Sequence, residues 1–486
     1  MRDYEFYYTQ DGSIGLYSYS DDDVYHSKFG AITEAWDKFI IPSKLDKRLS
    51  ETSDLKILDV CYGVGYNTKA AMSFVINKYE KFLKQKKENK FLKFLKEKFF
   101  KKISNTNISI ETSDANNNSK GDRKLSSSIE TINSDNIFPY ITIDCLDMNE
   151  ELVKISPLLK TVITLQEIFA RIIPHQFSCF DEYWKIKKFL AKLALKISRR
   201  NNRKITELLD IKFRTDFEVL DQEYRIHKFV NYILVDELIK KYGKEYVDKN
   251  LKNLLKERRN KKFFDKSVIK YALFNQNPGY KLITKLNLLA FLHNIYYDHL
   301  SNRYKKAYFK QAEKLFNINF YVNDARKSIL EINRQYDLIF LDAFTFHKAP
   351  ELWTVDFMAE LHRRLSPTGI LMTYSNSALV RNTFLESNFF IGKILDKKTG
   401  KCIGTVAAKE KSLIEHPLSN YEMGLCSTKA GIPYRDPNLN YSKEMILNNR
   451  QREFKASDLM TSSQYMRARS SKNNVNEENN KDNNEK

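Results

Sequence analysis

The sequence has 486 residues, of which 81 are Lys or Arg and 61 are Asp or Glu, so its formal net charge is +20. This length suits two or three average domains, or one domain with large insertions. A positive field of this size attracts polyanions such as nucleic acid or an anionic membrane, although a Lys-rich and Asn-rich composition alone also explains the charge.

Several classes of protein are excluded by patterns that the chain lacks. Its five cysteines form no CxxC pair and have no metal-ligand spacing, so we expect reduced thiols, a cytoplasmic location and no metal site. No uninterrupted apolar run approaches the ~20 residues that span a bilayer, and the N-terminus has no apolar signal segment. We therefore expect an intracellular protein without a membrane span.

The predicted core is an α/β domain that follows an N-terminal β-hairpin region. Residues 1–50 contain TQDGSIGLYSYSDDDVYHS, which alternates and carries the turn dipeptide Asp11-Gly12. Strand-like and helix-like segments then alternate, which predicts a mostly parallel, doubly wound sheet. Its first half comprises residues 51–80 and 137–157, and its second half comprises residues 290–469. The strand-like runs are KILDVC, PYITIDCL, INFYVND, YDLIFLDAF and TGILMTYS.

Two basic insertions and a tail interrupt or follow this core. The insertion at residues 81–136 starts with a run, Lys81 to Lys102, that has ten lysines and two glutamates and helical apolar spacing. The rest of that insertion and the tail at residues 470–486 have too few large apolar residues for a core, so we expect disorder. The insertion at residues 158–289 has helical periodicity. The basic run is a candidate phosphate-binding surface, and a solvated helix face explains it equally well.

The glycine loop after the first core strand, in KILDVCYGVGYNTKAAM, predicts a ligand site at the carboxyl ends of the strands. A phosphate-binding P-loop needs GxxxxGK[ST], and this loop does not match it. A dinucleotide fingerprint needs GxGxxG; Gly63 and Gly65 supply the first pair, but Thr68 occupies the third position. S-adenosylmethionine is the third option, because its binding needs close backbone approach at such a loop.

Acidic residues follow each of the next three predicted strands. Asp147 is placed to accept hydrogen bonds from the ribose hydroxyls, Asp324 to receive the adenine amine, and Asp342 to face the methyl donor. Each acid alone is more often a helix cap or a turn residue. Their occurrence at successive strand ends, after a glycine loop, favours S-adenosylmethionine.

Several segments resemble the methyltransferase domain of the MnmC family, bacterial enzymes that modify the tRNA wobble uridine. The segments are LDVCYGVGYNTKAA, VNDARKSI, LIFLDAFTFHKAPELWTVDFMAELHRRLSPTGILMTYSNSALVR, the N-terminal DDVYHSKFGAITEA and the late GTVAAK and GIPYRDPNL. The likeness is to the stand-alone members and covers most of the core outside the insertions. It implies a class I (Rossmann-like) methyltransferase that methylates the aminomethyl group of 5-aminomethyl(-2-thio)uridine in the tRNA anticodon.

The resemblance also implies which residues bind the cofactor. The matching motifs place eight residues at the S-adenosylmethionine site: Asp59, Gly63, Gly65, Asn67, Asp147, Asp324, Ala325 and Asp342. Two positions depart from the usual pattern. Cys61 stands where many methyltransferases have a glycine, and Asp147 stands where glutamate is usual, with a side chain one methylene shorter.

Candidate catalytic and substrate-binding residues lie near the fourth and fifth strand ends. Methyl transfer to nitrogen needs a neutral amine held near the methyl carbon, so we expect Asp342 to orient the amine and help accept its proton. The candidates for tRNA contact are His347, Lys348, Tyr374 and Arg381. Trp353 is expected to pack in the core, and His26 could border the cofactor.

Two other readings of the sequence stay open. A spermidine-synthase-like aminopropyltransferase has a similar fold and similarly placed acids, and a non-catalytic RNA-binding relative would keep the fold without the reaction. Two-domain MnmC proteins also carry a flavin-dependent oxidase domain, which we expect to be missing from this chain. A separate flavin oxidase or upstream tRNA-modifying enzymes would then be partners.

Overall fold

The computed structural model describes most of the predicted core and parts of the insertions. The described residues are 4–20, 22–26, 29–104, 138–162, 217–256, 263–266, 268–269 and 310–469. The segments predicted to be disordered, at residues 105–136 and 470–486, lie outside them. Most of the second insertion also lies outside them.

The N-terminal residues form a small antiparallel sheet, which confirms the predicted hairpin. Strand β1 (Tyr4–Tyr8) pairs with β2 (Ile14–Ser18), and β2 pairs with β3 (Asp23–Val24). Asp11 closes the turn, because its Oδ1 accepts hydrogen bonds from the backbone N–H and the hydroxyl of Ser13. The small sheet is pinned to the core by Tyr66, whose hydroxyl donates to the carbonyl of Ile14 at 3.0 Å.

The core is a seven-stranded, mostly parallel sheet, as predicted. Its order is β6-β5-β4-β7-β8-β10-β9, so the direction of strand addition reverses beside β4. Strands β4 to β8 pair in parallel, whereas β10 is antiparallel to both β8 and β9. The strands are β4 (Asp54–Val60), β5 (Tyr140–Asp147), β6 (Phe316–Val322), β7 (Tyr336–Leu341), β8 (Leu365–Thr373), β9 (Phe390–Leu395) and β10 (Cys402–Ala408).

Helices cover both faces of this sheet. Neighbouring residues of β4 alternate between the two apolar layers: Ile57 packs in the layer that contains α3, and Leu58 packs in the layer that contains Trp353 and Phe357. The described α-helices are α1 (Ala31–Ala35), α2 (Leu45–Glu51), α3 (Tyr66–Ser104), α4 (Glu150–Ile155), α5 (Phe217–Tyr242), α6 (Lys244–Lys256), α7 (Lys310–Glu313), α8 (Ala325–Glu331), α9 (Val355–Arg364), α10 (Ala378–Glu386), α11 (Asn420–Cys426) and α12 (Lys443–Ala456).

Helix α3 joins the glycine loop to the first insertion. It is continuous for 39 residues, so the helix after the loop and the predicted basic helix are one element. Helix α5 of the second insertion packs on its first part, where the Ser73 hydroxyl lies 3.1 Å from Nδ1 of His227. Helix α4 meets the same insertion through Lys154, whose Nζ lies 3.9 Å from the centroid of the Tyr246 ring. The second insertion is therefore anchored to the core.

Candidate active site

Backbone hydrogen bonds hold the carboxyl ends of four neighbouring strands together. The N–H of Asp342, after β7, donates to the carbonyl of Val60 at the end of β4. Tyr62 N–H donates to the carbonyl of Leu146 in β5, and Asn323 N–H, after β6, donates to the carbonyl of Asp147. The loops that carry the predicted acids therefore meet at one edge of the sheet, beside the point where the strand order reverses.

The glycine loop needs left-handed backbone at three positions. Gly63 and Gly65 have φ of +54° and +77°, and a Cβ on Gly65 would lie 2.4 Å from Cζ of Tyr62. Cys61 adopts the same region with φ of +67° although it has a side chain, which costs roughly 1–2 kcal/mol. The loop therefore keeps the glycine-like conformation at the position where the family pattern has glycine.

Asp147 closes the glycine loop onto β5. Its Oδ2 accepts from the N–H of Gly63 at 2.6 Å, and its Oδ1 accepts from the N–H of Asn149 at 2.7 Å. The shorter side chain of aspartate suffices for this contact because the loop folds against it. Burial raises the pKa of Asp147, and the two backbone hydrogen bonds act in the opposite direction.

Asp342 lies at the end of β7 and is tied to α3. Its Oδ2 accepts from Nδ2 of Asn67 at 2.9 Å. Burial raises its pKa, whereas His26, Asn67 and Lys38 act to lower it. The structure thus brings together Asn67 and Asp342, two residues that the sequence analysis predicted separately.

The charges of four carboxyl groups act on the side chain of Cys61. Burial raises the pKa of this thiol well above its ordinary value, and charges on four acids raise it further: Asp147, Asp342, Asp59 and Glu351. These groups therefore lie within electrostatic reach of one sulfur atom. A site rich in carboxylates, inside a chain of net positive charge, suits a cationic ligand.

Asp59 supports this site from below and does not line it. Its side chain is fully buried, and its Oδ2 accepts from the N–H and the hydroxyl of Thr68, at 3.2 and 2.6 Å. Its assignment to the cofactor site stays a prediction, and in the structure its side chain has no exposed surface. Burial raises its pKa to about 7, and its Oδ1 has no hydrogen-bond partner among the described residues.

Asp324 combines a helix cap with an ion pair. It is the N-cap of α8, its Oδ1 accepts from the N–H of Arg326, and its Oδ2 lies 2.7 Å from Nη2 of the same arginine. Burial alone would raise the pKa of Asp324, but the hydrogen bonds from Arg326 lower it. Arg326 also binds Asp436 in the GIPYRDP segment at 2.7 Å. This late segment therefore braces the loop after β6, where Ala325 is buried.

The predicted substrate-binding residues separate into three groups. Tyr374 is half-buried beside the site: its pKa is raised by burial and by the charge of Asp342. His347 and Lys348 are exposed on the loop after β7, where Nζ of Lys348 lies 3.4 Å from the carbonyl of Asp22. Arg381, a candidate for tRNA contact, is buried, and its guanidinium pairs with Glu422 at 3.3 Å.

Three charged residues near the site were not predicted as site residues. Glu34 and Lys38, which pair at 3.1 Å, follow the N-terminal sheet, and both influence the pKa of Asp342. Glu351 lies in the 3-10 turn Pro350–Trp353, and its Oε2 is buried without a hydrogen-bond partner among the described residues. Glu351 belongs to the PELW motif and Glu34 to the GAITEA motif, so the quoted resemblance was the available signal.

Neighbouring aromatic residues complete the walls of the site. Trp353 is fully buried, as expected, and its Nε1 donates to the carbonyl of Phe344 at 2.9 Å. The ring of Phe344 packs edge-on against Tyr25 at 4.9 Å, so the N-terminal region covers the loop after β7.

Within the described ranges, no group of His, Cys, Asp and Glu side chains is arranged to hold a metal ion, and no helix there is long and apolar enough to cross a bilayer.

Residues 287–410, which include β6 to β8 and both Asp324 and Asp342, match the sequence model of a family described as S-adenosyl-L-methionine-dependent methyltransferase. A stretch of 91 residues, 18% of this chain, is 30% identical to part of the tRNA 5-methylaminomethyl-2-thiouridine biosynthesis bifunctional protein MnmC of Pseudomonas putida. Over these residues the chain is similar to S-adenosyl-L-methionine-dependent methyltransferases, MnmC among them. The family match includes the strand ends that hold two of the three predicted acids.

The chain has further similarities, each over part of its length or at low identity. It is 31% identical over 137 residues, 28% of its length, to an uncharacterized protein of Methanocaldococcus jannaschii. That alignment spans 38% of the archaeal protein, and the alignment to Pseudomonas putida MnmC spans 14% of MnmC. A crystal structure of MnmC2 from Aquifex aeolicus aligns over 93% of this chain and 86% of that chain, with 18% identity and a TM-score of 0.44.

Proposed function

We propose that this methyltransferase transfers a methyl group from S-adenosylmethionine to the primary amine of 5-aminomethyl(-2-thio)uridine at the wobble position of tRNA. The observation that carries the proposal is that Asp147, bonded to the glycine loop, and Asp342, bonded to Asn67 of α3, lie at neighbouring strand ends beside the reversal point of the sheet. The methyl donor is a sulfonium and the acceptor is an alkylamine, so both reactants are cationic before reaction. The MnmC relatives are named for 5-methylaminomethyl-2-thiouridine biosynthesis, which supports the choice of substrate.

The residues at the strand ends fit the parts of the methyl donor. Gly63 and Gly65 allow close approach to the loop, since neither has a Cβ. Each oxygen of Asp147 has a lone pair left for a ribose hydroxyl after its backbone hydrogen bond, because a carboxylate accepts about four hydrogen bonds. Asp324 remains the candidate for the adenine amine. When bound, the donor supplies an electrophilic methyl carbon.

Asp342 is proposed to act on the amine. A free alkylamine is mostly protonated near pH 7 and has no lone pair for attack, so the site must remove a proton. The Asp342 carboxylate, fixed by Asn67 at 2.9 Å, would orient the amine and help accept that proton. Tyr374 lies beside it and provides an aromatic wall for the uracil ring.

Binding of tRNA is proposed to involve the basic parts of the chain. The carboxylate-rich site would by itself repel an RNA backbone, so contacts to phosphates must come from elsewhere on the protein. His347 and Lys348 are exposed on the loop after β7 and are candidates for contact with the anticodon. The lysine-rich run at residues 81–102 is another candidate for phosphate contacts, and affinity from such contacts falls steeply with salt.

The test compares wild type with Asp342→Asn and Asp342→Ala in single-turnover methylation of tRNA that carries 5-aminomethyluridine. We expect a rate loss of about 10²–10⁴-fold in both variants, with S-adenosylmethionine affinity measured separately by calorimetry. The matched control is Asp458→Asn, which removes an exposed carboxylate outside the site. Wild-type rates in both Asp342 variants would remove this residue from the reaction.

The function itself is tested with the wild-type gene and the wild-type protein. Mass spectrometry of wobble nucleosides from cells with and without the gene should show loss of the methylated amine. Stronger binding of decarboxylated S-adenosylmethionine than of S-adenosylmethionine would favour an aminopropyltransferase instead. Absence of binding to either compound would favour a non-catalytic RNA-binding protein.

A further inference from the structure

We propose that His26, from the N-terminal region, is the base that receives the proton of the substrate amine, and that it works as a pair with Asp342. This inference rests on the proposed function and adds a second residue to the chemistry. It also gives the N-terminal sheet a direct part in the active site, in addition to its role as a cover.

The backbone and ring of His26 are both held in place at the site. The hydroxyl of Tyr7 in β1 donates to the His26 carbonyl at 2.6 Å. The imidazole ring packs edge-on against Tyr66, the first residue of α3, with 4.9 Å between centroids. The next residue, Asn67, donates to Asp342. One helical turn therefore positions both members of the pair.

Charges from several elements act on the imidazole of His26. Burial lowers its pKa, while Asp342 after β7, Glu34 in α1 and Asp11 in the β1–β2 turn raise it, and Lys38 lowers it. His26 in turn lowers the pKa of Asp342 more than any other charged group does. The Asp342 carboxylate therefore favours the protonated form of His26. The pKa of the histidine lies below its ordinary value, so the ring is neutral at pH 7 and able to accept a proton.

The ring nitrogens of His26 are available for this role. Within the part of the chain that the structure describes, no hydrogen bond is made to either nitrogen. The packing of Tyr25 on Phe344 and the hydrogen bond from Lys348 to Asp22 cover the site beside His26.

The proposed steps conserve protons and electron pairs. The alkylammonium of the substrate first gives one proton to the imidazole, which yields a neutral amine and an imidazolium that the Asp342 carboxylate stabilises. The amine lone pair then forms the new C–N bond as the C–S bond breaks and its electron pair stays on sulfur. The product is a secondary ammonium and a neutral thioether. The imidazolium later releases its proton to solvent.

The first test is the pH dependence of single-turnover methylation by His26→Gln, which keeps polarity and removes titration. We expect the variant to be at least about tenfold slower than wild type at pH 7. Its rate should rise about tenfold per pH unit toward the amine pKa, because only free amine then reacts, whereas wild type should be nearly flat. The control, His362→Gln, changes a histidine that packs on Phe389 and should behave as wild type.

A loss by the same factor at every pH would mean that His26 is only structural, and an unchanged profile would mean that it has no role. Either result overturns the inference while leaving the methyltransferase function standing, provided that wild type is active.

The second test does not depend on the reaction. The pKa of His26 is measured by NMR in the wild-type protein and in Asp342→Asn, with His26→Gln used for assignment among the eight histidines. Removing the carboxylate should lower the His26 pKa further, because its charge stabilises the imidazolium. An unshifted pKa refutes the pair. If wild type fails to methylate the tRNA, the proposed function is wrong, and this titration still decides whether the pair exists.

Discussion

Replacing Asp59 by asparagine should stabilise the protein relative to wild type above neutral pH and much less at acidic pH. Asp59 is fully buried beneath the glycine loop, where its Oδ2 binds Thr68 and its Oδ1 has no partner among the described residues. Asparagine can keep the acceptor toward Thr68, and it never carries the buried charge. The variant therefore isolates the free energy of ionising this carboxyl group.

The magnitude follows from the pKa of Asp59, which is raised from 3.8 to about 7 by burial. Because the folded state holds the proton more tightly, stability falls as pH rises from about 3.8 to about 7 and stays level above that. The difference of about 3 pKa units corresponds to about 4 kcal/mol at most, and roughly half of it falls between pH 5.5 and pH 8. Asp59→Asn should abolish that part of the pH dependence.

The assay is urea unfolding of wild type and Asp59→Asn near pH 5.5 and near pH 8, without cofactor. We expect the free-energy difference between the two proteins to change by about 2 kcal/mol between these conditions. The control, Asp458→Asn, removes an exposed carboxylate and should show no such change. If the difference between wild type and Asp59→Asn is the same at both pH values, the carboxyl group of Asp59 does not titrate as described.

Three further predictions concern the loop and the basic helix. Gly65→Ala should lower S-adenosylmethionine affinity by at least about tenfold in calorimetry, because the new Cβ would clash with Tyr62 and φ is left-handed; wild-type affinity would contradict this. Cys61→Gly should be about 1 kcal/mol more stable than Cys61→Ala in urea, and the reverse order would show that the left-handed φ of Cys61 carries no strain. Glutamine replacements of lysines in residues 81–102 should flatten the salt dependence of tRNA affinity in filter binding, and an unchanged slope would exclude phosphate contacts there.

The parallel part of the sheet could be predicted because it is buried on both faces. Runs such as LIFL in β7 are continuously apolar, which is typical of central parallel strands. The antiparallel pair β9 and β10 was not predicted. Its strands contain Gly392 and Gly404, which favour a turn in sequence, yet a Cβ on Gly404 would lie 2.4 Å from the carbonyl oxygen of Thr373. Glycine is needed there by close strand packing, which only the tertiary structure reveals.

Residues of the candidate site could be predicted where they directly follow a strand. They could not be predicted where the direction of a side chain, or a segment distant in sequence, determines what lies at the site. The strand-end rule identified Asp147 and Asp342, whose loops meet through backbone hydrogen bonds. The same rule cannot distinguish Asp59, which lies before the strand end and points into the packing between β4 and α3. Glu34 and Glu351 reach the site from other elements, and no local spacing relates them to the strand ends.

The length of α3 determines the distance between the glycine loop and the insertion that follows it. With 39 residues at 1.5 Å each, the helix extends roughly 58 Å, whereas β4 beside it is roughly 23 Å long. Its C-terminal end therefore lies well past the edge of the sheet that is opposite the glycine loop. An RNA that binds both the glycine-loop site and the far end of α3 must have two anionic regions separated by the length of that helix. A short anticodon hairpin would reach the glycine-loop site and would not contact the far end of α3.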